Sequence, residues 1–346
     1  MKRTLTIIVA LALTGGACKK DTKKEEAPPP AEKTAEKQAT PATTTPETPP
    51  KPSPEEEAKK AAARMAEVEK EIAEDKARFT PELEKEIAAL AAKKFPDAKA
   101  ALAAILKSPH RHAENPPRDA HRHPVETLTF FGVTPKSTVV ELGAGEGWYT
   151  ELLAPLLARE GKLIVVANDA TPPIDTMSKV YGKRAELFLA KSPALYGKVE
   201  KVAIAPPDKL TLGPDGSADV VIAMREMHGW QNRGQLDAYV KAVHAVLKPG
   251  GVFGVEQHRA AAGARPEDTS SKGYLPEEWV IQQVTAAGFE LAEKSEINAN
   301  PKDTKDHEKG VWMLPPNMRD VPEADKAKYA AIGESDRMTL KFVKKK

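Results

Sequence analysis

The segment Thr138-Val-Val-Glu141-Leu142 is apolar apart from Glu141, and it runs without a spacer into Gly143-Ala-Gly145-Glu-Gly147. A strand that ends in closely spaced glycines can turn sharply and let its backbone approach another group, because glycine carries no Cβ. The pattern predicts a helix over 150–158, ended at Gly161. Lys162-Leu-Ile-Val-Val-Ala167 then reads as a continuous apolar strand, the kind that is covered on both faces of a parallel sheet. Strand, glycine turn, helix and strand make one βαβ unit. The alternation continues with a buried strand over 218–223, an amphipathic helix over 236–247 and the turn Lys248-Pro-Gly-Gly251. A strand over 252–256, a helix over 277–288 and two late strands over 289–297 and 338–343 follow. Such an alternation specifies an open α/β sheet.

The glycines fall at 143, 145 and 147, which is G-x-G-x-G and not the G-x-G-x-x-G of dinucleotide sites. The usual slot of the ribose-binding acid about 20 residues further on falls near Ala167 and holds no acid, which disfavours a nicotinamide-dependent oxidoreductase. With Glu141 two residues ahead, the run E-x-G-x-G-x-G resembles motif I of class I S-adenosylmethionine-dependent methyltransferases. Asp215-Gly-Ser-Ala-Asp219-Val-Val-Ile resembles the fourth-strand region of that superfamily, and Leu247-Lys-Pro-Gly-Gly251 its turn before the fifth strand. His123-Pro-Val-Glu-Thr-Leu128, Met227-His-Gly-Trp230, Glu256-Gln-His-Arg-Ala260, Ser295-Glu-Ile-Asn-Ala-Asn-Pro301 and Gly333-Glu-Ser-Asp-Arg337 are similar to a family of exported bacterial methyltransferases of unassigned acceptor. The resemblance covers residues 108–346. It implies a Rossmann-like α/β fold with seven mostly parallel strands, a late antiparallel strand and helices on both faces. It implies S-adenosylmethionine as cofactor and methyl transfer to a small molecule. A methyltransferase fold that has become an inactive binding protein of the cell envelope is the alternative.

The resemblance also assigns residues. Glu141, Gly143, Ala144, Gly145 and Gly147 belong to the cofactor turn, with Trp148 and Tyr149 beside the sulfonium or in the core. The ribose acid has its usual slot near Ala167, so Asn168, or else Asp169, is the candidate partner for the ribose. Both could instead simply cap the next turn. Asp208 is the best match for the acid that contacts adenine. The loop Met224-Arg-Glu-Met-His228-Gly-Trp230 faces the cofactor in the superfamily. There His228 is a candidate base, because an ordinary imidazole titrates near neutrality, and Glu226 is a candidate base or orienter. Arg225 could hold an anionic group on the substrate. His258, after the fifth strand, is the second candidate base.

The N-terminal third reads differently. Lys2 and Arg3 precede a short apolar run ending at Leu13, and Gly15-Gly16-Ala17 stand directly before Cys18, the single cysteine of the 346 residues. The run is too short to span a bilayer as a helix, so residues 1–17 read as an export signal. The pattern resembles a lipoprotein signal, which implies a lipid on Cys18, membrane anchoring and a periplasm-facing envelope location. Residues 18–54 hold nine prolines after position 27 and no large apolar residue, so they cannot bury enough surface to order and read as a tether. Residues 55–107 carry apolar positions at helical spacing, with Thr80-Pro81 and Asp97 as helix starts. The paired motifs His110-Arg-His112 and His121-Arg-His123 are interleaved with arginines that would repel a cation. They are read as a lid or pocket entry bringing Arg118, Arg122 and His123 near the cleft, with no metal. Lys and Arg total 52 against 50 acids, and aromatics make up 5%, so neither charge nor stacking surface points to nucleic acid. No protein partner is inferable.

Overall fold

The computed structural model describes residues 53–346. The export signal, Cys18 and nearly all of the proline-rich tether lie outside the described residues. The chain then opens with three helices, α1 (Pro54–Lys76), α2 (Pro81–Ala92) and α3 (Ala98–Ile105). Each start is fixed by a side chain that accepts a backbone N–H otherwise left without a partner: Ser53 from Glu56, Thr80 from Leu83, Asp97 from Ala100. Two short helices follow, α4 (Asp119–Arg122) and α5 (Pro124–Phe130).

The α/β part runs β1 (Thr138–Leu142), α6 (Thr150–Leu157), β2 (Lys162–Asn168), α7 (Met177–Leu189), α8 (Pro193–Tyr196) and β3 (Glu200–Ile204). Next come β4 (Ala218–Met224), α9 (Met227–Asn232), α10 (Leu236–Val246), β5 (Leu247–His258), α11 (Pro266–Thr269) and α12 (Glu277–Ala286). The last elements are β6 (Phe289–Ser295), α13 (Lys326–Ile332) and β7 (Arg337–Lys344). One seven-stranded sheet results, in the order β3-β2-β1-β4-β5-β7-β6. The first five strands in that order are parallel, and β7 inserts antiparallel between β5 and β6. This is the fold class expected from the alternating pattern, with the late antiparallel strand.

Two apolar layers cover the sheet. On one side Val139, Val165, Val220 and Ile222 meet α6, α7 and residues of α1 to α3. On the other, Val140, Ile164, Val221 and Val255 meet α10, α12 and Phe342. The order reverses between β1 and β4: from β1 the chain builds outward through β2 and β3, then returns to β4 on its other side. Open α/β sheets hold ligands beyond the carboxyl ends of their strands at such a point.

A buried charge cluster joins α1 to the sheet layer. Lys191 Nζ lies 2.6 Å from Asp75 and 3.7 Å from Glu151. Arg78 pairs with Asp75 at 2.5 Å, Arg111 with Asp119 at 2.6 Å, and the Asn115 amide donates to Glu151 at 2.7 Å. Lys191 is 2% exposed, so loss of its ammonium leaves buried carboxylates without their counter-charge. Lys191→Ala is expected to lower unfolding stability by about 3 kcal/mol or more. Urea denaturation reads this, and an unchanged midpoint would mean that water reaches the Asp75–Glu151 cluster.

Candidate active site

A cleft of about 840 Å³ opens at the carboxyl ends of β1, β2 and β4, where the strand order reverses. Its floor is the turn after β1. Gly143 has a φ of 63°, a conformation that side chains with a Cβ seldom adopt. A Cβ there would stand 2.2 Å from the carboxyl carbon of Glu226. The Glu226 carboxyl therefore lies directly over the turn, in space that only glycine leaves open. It makes no hydrogen bond or ion pair among the described residues. Burial raises it to about 7, against the opposing pull of Arg225 and Arg233. Glu141, 3% exposed, accepts from Thr150 Oγ1 at 2.8 Å, and burial raises it to about 7 as well. Two carboxyl groups of high proton affinity thus flank the glycine turn, and both line the cleft.

The other proposed cofactor contacts divide. Ala144, Gly145, Trp148, Asn168 and Asp169 line the cleft. Asp169 spends both oxygens on Thr171, accepting from its N at 3.1 Å and its Oγ1 at 3.0 Å. Asn168, at the end of β2, has no side-chain partner among the described residues and faces the cleft unengaged. Gly147 does not face it. A Cβ there would meet the Phe188 ring at 2.2 Å, so this glycine lets α7 close against the turn. Asp208 is also misassigned. Ala205 and Lys209 pair across a tight turn after β3, which carries Asp208 out to the exposed tip, while Ile204, Ala205 and Pro206 line the cleft. Trp148 does not offer its ring face to a sulfonium. Arg122 stands over that ring at 4.8 Å and Arg111 at 5.5 Å.

The segment after β4 is not all loop, since α9 starts at Met227. It turns at Arg225, whose φ is 64°. Arg225 lines the cleft and donates from one nitrogen to Glu256 at 3.0 Å. His228 faces His258 and Trp312, each with ring centroids 5.7 Å away. Burial lowers His228 to about 4, opposed by a long contact to Gln257. His258, next to Ser335 Oγ at 2.5 Å, is held well below the usual imidazole range by burial, by its coupling to the His228 ring and by the positive charge of Arg225 and Arg337. Both rings are neutral at neutral pH, so each can accept a proton, but weakly.

Behind them lies a second charge cluster. Glu256, fully buried on β5, accepts from Tyr149 Oη at 2.8 Å and pairs with Arg225 and Arg337, both at 3.0 Å. Glu334 pairs with Arg337 at 2.9 Å, Arg118 at 2.9 Å and Arg122 at 3.1 Å. Arg118, Arg122 and Glu334 line the cleft. His123 does not: its ring meets Asn298 at 3.3 Å, away from the site. His110 is a buried packing residue, its Nε2 2.8 Å from the Glu151 carbonyl. Glu334, Ser335 and Trp312 were not recognised as site residues in the sequence. Charged side chains at the start of an interior strand, Glu334 to Arg337, were the available signal. The segment around Trp312 carries no periodic pattern.

Glu141 makes stability depend on pH. Its folded carboxyl stays protonated up to about pH 7, whereas the unfolded one ionises near the ordinary glutamate value. Wild-type stability therefore falls, through this group, as pH rises from the unfolded value to the folded one. Glu141→Gln lacks that loss and keeps an acceptor for Thr150. Its stability relative to wild type is expected to rise by about 3 kcal/mol between acid and mildly alkaline pH. Parallel denaturation curves across that range check this, and a constant difference would show that folding leaves the Glu141 carboxyl at its unfolded proton affinity.

Residues 140–255 match the methyltransferase domain family. A comparison with curated proteins gave no match. Among solved structures, an S-adenosylmethionine-dependent methyltransferase from Aquifex aeolicus is 16% identical, covering 72% of this chain and 99% of its own, with a TM-score of 0.41. The 1,6-didemethyltoxoflavin-N1-methyltransferase of Burkholderia thailandensis, with its substrate and S-adenosylhomocysteine bound, is 17% identical over 70% of this chain and 89% of its own, TM-score 0.39. An S-adenosylmethionine-dependent methyltransferase from Mesorhizobium loti is 16% identical over 67% and 98%, TM-score 0.39. The family match spans about a third of the chain, and around it the seven-stranded sheet order and the glycine turn have the Rossmann-like fold of methyltransferases.

Proposed function

We propose that this protein transfers a methyl group from S-adenosylmethionine to a small-molecule acceptor bound in the same cleft. The observation that carries the reading is the unshared Glu226 carboxyl over Gly143, at the point where the strand order reverses. Bound S-adenosylmethionine supplies a methyl carbon on a positive sulfur; the carbon–sulfur bond breaks, its electron pair staying on sulfur, as the acceptor's lone pair takes the carbon. The chain's own work is positioning, which alone supplies much of the acceleration in such displacements. Glu226, with Glu141 behind it, holds the ammonium of the amino-acid end. Gly143 and Gly145 let the backbone come close. Asn168 offers its amide to the ribose hydroxyls, with Asp169 beside it. A volume of about 840 Å³ is that of a small-molecule site, with room beyond the donor at the end formed by His228, His258 and Trp312. There His228 takes the acceptor's proton where one must leave. A ring held at about 4 suits an acceptor that is acidic or already ionised.

The location is part of the same proposal. The short apolar run, the small residues and Cys18 support export and a lipid anchor on Cys18. Palmitate labelling of the full chain in a bacterial host is expected to disappear in Cys18→Ser, and equal labelling of both proteins would remove the anchor.

Ionised Glu226 is the form that holds an ammonium. Donor affinity is therefore expected to rise as pH increases through about 7, where Glu226 titrates. Glu226→Gln is expected to bind S-adenosylmethionine about tenfold or more weakly at mildly alkaline pH and to lose most of the pH dependence. Calorimetric titration on either side of neutrality reads both. Equal affinity in the variant and the wild type would remove Glu226 from the donor site.

A further inference from the structure

The two buried charge clusters differ in one respect. In the first, Arg78, Arg111 and Lys191 face Asp75, Asp119 and Glu151, cation for carboxylate. In the second, the four guanidiniums of Arg118, Arg122, Arg225 and Arg337 share only Glu256 and Glu334. The four guanidiniums thus exceed their two carboxylates by two positive charges, on side chains no more than 20% exposed, where an uncompensated charge is costly. Arg118, Arg122 and Arg225 each use one nitrogen on a glutamate. Their remaining guanidinium nitrogens have no hydrogen-bond acceptor among the described residues, and all three line the cleft. Arg122 is 4% exposed, and its guanidinium carbon stands 4.8 Å from the centre of the Trp148 ring. Glu226 is an acid under the influence of Arg225 and Arg233, but its carboxyl lies over Gly143 and makes no ion pair among the described residues. The bound donor brings no relief, because its sulfonium and ammonium outnumber its single carboxylate.

We infer that the methyl acceptor is an oxyanion, a carboxylate or a phosphate ester, whose charged group seats on the free guanidinium edges of Arg118, Arg122 and Arg225. The inference rests on the methyltransferase reading above and names the substrate class of that site. Guanidinium forks suit both oxyanions, since each presents paired oxygens. Seating an anion there completes the charge balance of the second cluster. It also places the molecule against the His228–His258–Trp312 end, where its nucleophilic atom meets the donor.

The test uses the full chain saturated with S-adenosylhomocysteine, titrated calorimetrically with three probes of one shape: benzoate, phenyl phosphate and neutral benzyl alcohol. At least one anion is expected to bind tenfold or more tightly than benzyl alcohol, and the better of the two assigns the oxyanion. Its affinity is expected to fall as potassium chloride is added. Arg118→Gln, at the rim of the cluster, is expected to weaken that anion about tenfold while leaving S-adenosylhomocysteine affinity unchanged. The salt series on the unaltered protein holds the inference to account if the variant fails to fold. Equal binding of all three probes, or no anion binding at millimolar concentration with S-adenosylhomocysteine bound, would overturn it. Failure of S-adenosylhomocysteine itself to bind is a different result, and it would overturn the methyltransferase reading instead.

Discussion

One fully buried carboxylate, Glu256, ties together the ends of three strands around the cleft. It sits near the end of β5, accepts from Tyr149 in the turn after β1 and from Arg225 in the turn after β4, and pairs with Arg337 at the start of β7. A carboxylate so deep persists only if hydrogen bonds and counter-charges replace its water. The groups that replace it are the ones that fix the cleft. Tyr149 sets the far end of the glycine turn. Arg225 forces the positive φ that turns the chain into α9 and delivers Glu226 over Gly143. Arg337 carries the chain on to Glu334, and through it to Arg118 and Arg122 from the helices before β1.

Chemistry follows from how this arrangement divides the cleft. Toward the glycine turn stand two carboxyl groups with raised proton affinity, suited to hold a positive donor. Toward β5 and β7 stand arginines in excess and two imidazoles kept neutral, partly by those same arginines. The side of the cleft with the glycine turn thus favours positive charge, and the side with the arginines favours negative charge. Such preorganised fields act without reorganisation cost during the reaction. The imidazoles are poor bases because burial, and after it the nearby arginines, disfavour their charged form, and an acceptor that arrives already ionised has least need of a base. The two features therefore belong to one design.

Much of this was legible in the sequence, and the limits have physical causes. Strand-glycine-helix-strand periodicity dictated the sheet, because parallel strands covered on both faces must be apolar throughout. Glu141, inside the end of β1, and Gly143, Arg225, Glu226 and His228, which directly follow strands, line the cleft because of those places in the chain. Gly147 was misread because glycine serves close helix packing as readily as ligand approach, and only the position of Phe188 distinguishes the two. Asp208 failed because a tight turn after β3, with Pro206 and Pro207 in it, redirects the chain before the acid can reach the cleft. The histidine pairs near 110 and 121 suggested a cleft entry, and only their neighbours Arg118 and Arg122 arrive there. The pairing of those arginines with Glu334, more than 200 residues away, is a tertiary fact with no local signature.

In the proposed function the β1–β4 crevice holds the donor with its amino-acid end at Gly143 and Glu226. A crystal structure of the protein with S-adenosylhomocysteine tests this directly. The ligand's ammonium is expected within hydrogen-bond distance of the Glu226 carboxylate and its ribose beside Asn168, with the Arg118–Arg122–Arg225 edge left open to a second molecule. Ligand density elsewhere, or a ligand whose ammonium contacts neither Glu226 nor Glu141, would contradict it.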